Sequence, residues 1–158
     1  MKPEVVGLVS FRPAAETDHS FIFATWLRGL YYGNAFFRQI DKEEFFPVYS
    51  RTIQNLIFKP TAEIKIACLK DEPDTILGYS LYEELPPLSI LHWVFVKPEW
   101  RKVGIAQALM PKEVNTITHI VDSICQLKRK EKAKSDRYLS NYEVKLKNRK
   151  LSFKPFMI

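Results

Sequence analysis

Arg101-Lys102-Val103-Gly104-Ile105-Ala106 follows directly on the apolar run Ile90 to Val96 and the break at Pro98. That order reads as strand, tight loop, helix: β-branched and aromatic residues up to Val96, proline ending the ladder, and Gly104 opening the helical Ile105-Ala106-Gln107-Ala108-Leu109-Met110. The first N–H groups of a helix have no intrahelical acceptor and sit at the positive end of its dipole. A loop of this kind is therefore an anion site that suits a pyrophosphate, with Gly104 and Ala106 small enough for close approach.

The pattern Val96-x-Pro98-x-x-Arg101-x-x-Gly104-x-Ala106 resembles the Arg/Gln-x-x-Gly-x-Gly/Ala signature of the GNAT superfamily of N-acyltransferases. Phe11-Arg12-Pro13-Ala14 with Asp18 fits the way many of its members begin, and Thr118-His119 and the ending Phe153 to Ile158 are similar to small GNAT-like proteins carried by phages. The resemblance implies an α/β fold with a mixed central sheet flanked by helices on both faces. It also implies acetyl-CoA, or another acyl-CoA, lying in a gap between the fourth and fifth strands. Pantetheine would pair with the backbone of Val94, Phe95 and Val96, and the pyrophosphate would take N–H donors from Arg101, Lys102, Val103, Gly104, Ile105, Ala106 and Gln107. Val103 departs from the Lys, Arg or Gly common beside this loop.

Acyl transfer to an amine needs a base for the ammonium, donors for the oxyanion and an acid for the departing thiolate. Under the resemblance the candidate bases are His92, His119, Glu83 and Glu84, the acid is Tyr138 or Tyr142, and a backbone N–H near Val96 is the oxyanion donor. The acceptor is an amine on a small molecule or a protein. The alternative is a GNAT-fold protein that no longer catalyses and serves as an interaction or structural component.

The elements that must position these groups follow the same order. Val5 to Phe11 reads as a first strand stopped at Arg12-Pro13. Phe23, Trp26, Leu27, Leu30 and Tyr31 make the stripe of a first helix closed by Gly33. Phe46, Tyr49, Ile53, Leu56 and Ile57 make a second, capped at Asp41 with Glu44 at capping-box spacing and starting near Glu43 or Glu44 so that Pro47 falls in its first turn. Aromatic stripes at this spacing are read as core. Glu63 to Leu69, Thr75 to Tyr82 and Leu88 to Val96 are three strands of a meander. Pro111 limits the helix after Gly104 to about two turns, and Thr116 to Val121 is a fifth strand. Asp122 to Lys150 reads as helical, either continuous or restarted at Ser135-Asp136. A hairpin around Asn148-Arg149 competes for Val144, Leu146, Leu151 and Phe153.

With 158 residues and 46% hydrophobic content, the chain is expected to form one domain. Residues 1–100 supply its strand, two helices and meander; residues 101–158 supply the loop, helix, fifth strand and basic segment. No apolar run reaches membrane-span length and no secretory layout opens the chain, so no membrane association and a cytoplasmic location are expected. Cys68 and Cys125 do not suggest a disulfide framework, and His19, His92 and His119 are too scattered for a metal centre. A nucleophile elbow, a Walker loop and a dinucleotide fingerprint are absent from the sequence. The net charge of +6 is concentrated in 126–150, where ten Lys/Arg stand against three Asp/Glu. Such a block is either a solvated helix face or a polyanion contact through Lys128, Arg129, Lys130, Lys132 and Lys134.

Overall fold

Alternating apolar residues pair into strands at Val9–Pro13 (β1), Glu63–Leu69 (β2), Ile76–Leu85 (β3) and Leu88–Val96 (β4). Shorter strands follow at Thr116–Ile117 (β5), Tyr142–Leu146 (β6) and Arg149–Phe153 (β7). The computed structural model describes residues 1–119, 142–146 and 149–154. Within these the strands form one sheet in the order β1-β2-β3-β4-β5-β7-β6. Neighbours are antiparallel except β4–β5 and β5–β7, so the sheet is mixed.

The helices are Pro3–Val6 (α1), His19–Gly33 (α2), Lys42–Ile57 (α3) and Ile105–Leu109 (α4). On one face α2 and α3 bury Ile22, Trp26, Leu30, Ile53 and Leu56 against Ile66, Tyr79, Leu81 and Trp93. Each such side chain contributes about 1.5–3 kcal/mol over leaving it in water. On the other face Val5 of α1 and Ile105 and Leu109 of α4 cover Val9, Ala67, Leu77 and Val96. Helices on both faces are as expected, and the aromatic stripes are core. Phe45 lies flat against Tyr49 with ring centroids 4.3 Å apart, and Tyr31 meets Phe45 edge-on.

Several boundaries differ from the sequence expectation. Val5 does not open the first strand: Pro3, with its fixed φ and no N–H to lose, starts a helical turn that sinks Val5 into the core, and the strand begins at Val9. α3 begins at Lys42, which places Pro47 in its second turn. Asp41 caps through its backbone carbonyl to the N–H groups of Glu44 and Phe45 and not through its side chain, so no capping box forms. On α2 and α3 the fully buried positions include Ile22 and Phe45, while Phe23 and Phe46 are half-buried. Helix does not reach Lys150, because Tyr142–Leu146 pairs antiparallel with Arg149–Phe153 in the competing hairpin arrangement. Residues 122–141, with the Ser135-Asp136 restart and the cluster Lys128 to Lys134, lie outside the described residues.

The strand-to-helix step at Arg12 to Asp18 is held by charge. Arg12 Nη1 donates to Asp18 Oδ2 at 2.6 Å and Nη2 to Oδ1 at 3.1 Å, while the Ala15 N–H donates to Oδ2 at 2.8 Å. The Arg12 hydrogen bond holds the Asp18 carboxyl below its usual range, against the opposing effect of burial. A carboxylate whose folded pKa is depressed stabilises the fold above its unfolded value and loses that contribution as pH falls through the folded value. Urea midpoints should therefore decline below about pH 4. Asp18→Asn is expected to lower the midpoint at pH 7 and to flatten that acid decline; an unchanged decline would assign it to other carboxylates.

Candidate active site

Among the described residues, backbone parity along β4 leaves one stretch of its edge, the slot, without a strand partner. Gly78 pairs with Val96, Tyr79 with Phe95 and Leu81 with Trp93, but Tyr82 pairs with Leu91, so His92 is an extra residue in a bulge. The Lys97 N–H donates to the Leu77 carbonyl at 2.8 Å, which makes Lys97, Phe95 and Trp93 the positions that point their backbone groups at β3. Val94 and Val96 therefore point theirs to the opposite edge. Before the bulge that edge is taken by β5: Ile90 and Leu91 pair with Thr116 and Ile117, and the Thr118 N–H donates to the Leu91 carbonyl at 3.3 Å. Asn115 pins β5 there, its side chain bonding the Ser89 N–H and the Pro87 carbonyl. The described ladder ends at that point. Of the groups beyond it, the Val96 carbonyl accepts from Arg101 Nε at 2.9 Å.

Where β4 and β5 stop pairing, a polar chain runs through the interior. Glu83, wholly buried, accepts from Lys59 Nζ at 2.9 Å, from Thr61 Oγ1 and from His92 Nε2 at 2.8 Å. His92 Nδ1 lies 2.9 Å from Thr118 Oγ1, which lies 2.9 Å from His119 Nδ1. Burial alone would raise the Glu83 carboxyl; the hydrogen bonds from Thr61, Lys59 and His92 outweigh it and hold the carboxyl below its usual range. Burial lowers His92, opposed by the Glu83 carboxylate. Burial, with the nearby His92, pulls His119 down to about 3. These directions leave Glu83 an anion and both imidazoles neutral at neutral pH.

Two buried indoles pack beside this network. Trp26 stacks on Trp93 with centroids 5.6 Å apart and planes 13° from parallel, and both meet the His119 ring edge-on. Gly29 makes the approach of α2 possible, since a Cβ there would stand 3.0 Å from the Trp93 ring.

Solved structures resemble this arrangement. A Corynebacterium glutamicum protein described as histone acetyltransferase HPA2 and related acetyltransferase superposes with a TM-score of 0.50 at 16% identity, over 65% of this chain and 67% of that one. A Pyrococcus furiosus protein described as an acetyl transferase does so with a TM-score of 0.51 at 17% identity, over 64% and 68%. The fold is that of the GNAT acetyltransferases. No protein-family profile matches the sequence, and no curated protein does.

Within the GNAT fold the expected site residues separate clearly. His92, His119 and Glu83 come together in one network, whereas Glu84 next door is exposed on the hairpin. His119 lies just beyond β5, which is shorter than expected. Tyr138 lies outside the described residues, and the backbone of Tyr142 is strand, not late helix. The sequence offers Thr118 only as part of the Thr118-His119 resemblance and gives it no role, and Lys59 and Thr61 are missed, since nothing in their local sequence marks them. Among the described residues no His, Cys, Asp and Glu cluster could hold a metal, and no helix is long and apolar enough to cross a membrane. Cys68 is a buried free thiol.

The loop Arg101 to Gly104 carries two left-handed residues, Lys102 at φ 64° and Gly104 at φ 99°. Gly104 caps α4, whose five residues end with the Ala108 carbonyl accepting from Lys65 Nζ at 2.9 Å and the Leu109 carbonyl from Ser80 Oγ at 2.8 Å. A Cβ on Gly104 would lie 2.6 Å from the Met1 Cα, and the Lys2 N–H donates to the Val103 carbonyl at 2.9 Å. Glycine is thus required at 104 by backbone angle and by the N-terminal segment, independently of any phosphate.

Proposed function

We propose that this protein is an acyl-CoA-dependent N-acyltransferase, transferring an acetyl group to an amine by direct attack. The observation that carries the reading is that, among the described residues, the β4 ladder to β5 ends before Val94 and Val96, and a buried polar network of two histidines lies where the two strands part. Acyl-CoA supplies a thioester whose carbonyl carbon is the electrophile. Its pantetheine amides fit the outward N–H groups of Val94 and Val96 and the Val94 carbonyl, and its pyrophosphate suits the N–H groups at the start of α4 together with Arg101 and Lys102. His119 and His92 take the proton that makes the acceptor a nucleophile. A β4 N–H directed into the slot, at Val94 or Val96, stabilises the oxyanion. Tyr138 is the proposed acid that returns a proton to the thiolate.

Calorimetric titration with acetyl-CoA, followed by a thiol-release assay across small amines and peptide N-termini, tests this. Binding below millimolar concentration and turnover with at least one amine are expected. No heat at millimolar acetyl-CoA would overturn the reading. The brevity of α4 and the basic block at 126–150 favour a second, non-catalytic reading, in which the protein binds a polyanion. That reading predicts salt-sensitive heparin binding without thiol release.

A further inference from the structure

With His92 neutral, the buried chain from Glu83 to His119 admits one arrangement of its protons. An ionised carboxylate only accepts, so the His92 Nε2 facing Glu83 carries hydrogen. His92 is neutral, which leaves its Nδ1 bare to accept from the Thr118 hydroxyl. That donation uses the only proton Thr118 has, so towards His119 its oxygen can only accept. His119 Nδ1 therefore carries hydrogen, and its Nε2 is bare. Reversing any one of these bonds would set two donors or two acceptors face to face inside the protein, at about 1–3 kcal/mol for each group left unsatisfied.

We propose, resting on the acyltransferase reading, that Glu83, His92, Thr118 and His119 form a single proton relay. In it Thr118 presents His119 Nε2 as the base and carries the resulting charge to His92 beside Glu83. The acceptor ammonium gives its proton to His119 Nε2. The His119 Nδ1 proton passes to Thr118 Oγ1, and the hydroxyl's own proton passes to His92 Nδ1. The charge then resides on an imidazolium 2.8 Å from the Glu83 carboxylate, and His119, edge-on to the stacked indoles of Trp26 and Trp93, ends neutral. The freed amine attacks the thioester carbon, the carbon–sulfur bond breaks, and the second amine proton goes to the thiolate. When product leaves, the stored proton returns along the same path to water, which restores the starting tautomers.

His119 cannot serve as the place where charge rests, because burial lowers it further than His92 and the described residues bring no carboxylate to it. His92 has Glu83, although Lys59 opposes its charging. Among the described residues the Thr118 hydroxyl is the side-chain group that bonds both rings, and in the relay it is a positioning and transfer group that touches neither substrate.

Nitrogen-15 NMR of the histidine rings in the wild-type protein at pH 7, combined with kinetics of Thr118→Val and Thr118→Ser, tests the relay. His92 should appear protonated at Nε2 only and His119 at Nδ1 only. Thr118→Val should lower kcat by about 10²-fold with KM for acetyl-CoA unchanged, and Thr118→Ser should recover most of it. His119 protonated at Nε2, or Thr118→Val with wild-type kcat, in a protein that acetylates amines would overturn the relay alone. The expected tautomers in a folded protein that turns over no amine would overturn the acyltransferase reading, and with it the relay's role.

Discussion

His119→Ala is expected to lower kcat for acetyl transfer by about 10²–10⁴-fold, the range lost when a positioned general base is removed. The affinity for acetyl-CoA should hardly change, because in the proposed reading His119 acts on the amine, and its described side-chain hydrogen bond is to Thr118. Truncation leaves the Thr118 hydroxyl still donating to His92, so the Glu83 network keeps its satisfaction and the fold should survive. Comparing calorimetric Kd with single-turnover rates on the same preparation checks both halves of the expectation. A variant that binds acetyl-CoA normally and transfers acetyl at the wild-type rate would remove His119 from the chemistry. A variant that loses cofactor binding would place the ring on the wrong side of the slot.

How much of this was legible in the sequence depended on whether the signal was local. The meander was legible because alternation is a period-two signal carried within each strand: β2 and β4 have the expected ends, and β3 runs on to Leu85. Val5 misled for the converse reason. Its β-branched neighbours suit a strand, but Pro3 and the pull of the Ile105 and Leu109 cluster decide the outcome, and that cluster is formed by residues about a hundred positions away. The same holds for the tail, where no glycine or proline marks the turn between β6 and β7. There the pairing of β7 with β5, outside the reach of helical periodicity, selects strand.

The site was less legible than the fold because it depends on one inserted residue. Without the bulge at His92, strand parity would turn Val94 and Val96 towards β3 and present the backbone of Trp93 and Phe95 to the open edge instead. Sequence can name His92 and His119 as titratable groups on neighbouring strands, yet only the register shows that Thr118 stands between them. Glu83 and Glu84 are indistinguishable by type and differ by one position, which in a strand means opposite faces: one carries the network and the other faces water. Lys59 and Thr61 reach Glu83 from the turn after α3, a meeting fixed by how that helix crosses the sheet.

Gly104→Asp is expected to weaken acetyl-CoA binding by at least about tenfold, from two contributions that can be separated. The first is backbone: a non-glycine residue at φ 99° costs on the order of 1–3 kcal/mol, and its Cβ would press on Met1, 2.6 Å from the Cα. The second is charge, since a carboxylate beside the first N–H groups of α4 repels a pyrophosphate and competes for the same donors. Gly104→Ala introduces only the first. If the loop holds phosphate, the alanine variant should lose part of the affinity and the aspartate variant more, the excess shrinking as salt is raised. Lys102→Gly separates strain from charge on the adjacent left-handed residue. It relieves strain at φ 64°, so thermal stability should hold or rise, while the loss of one cation should still weaken acetyl-CoA. Equal affinities for Gly104→Ala and Gly104→Asp at low salt would show that glycine is kept at 104 for the N-terminal segment alone, and the pyrophosphate would then have to be sought elsewhere along the slot.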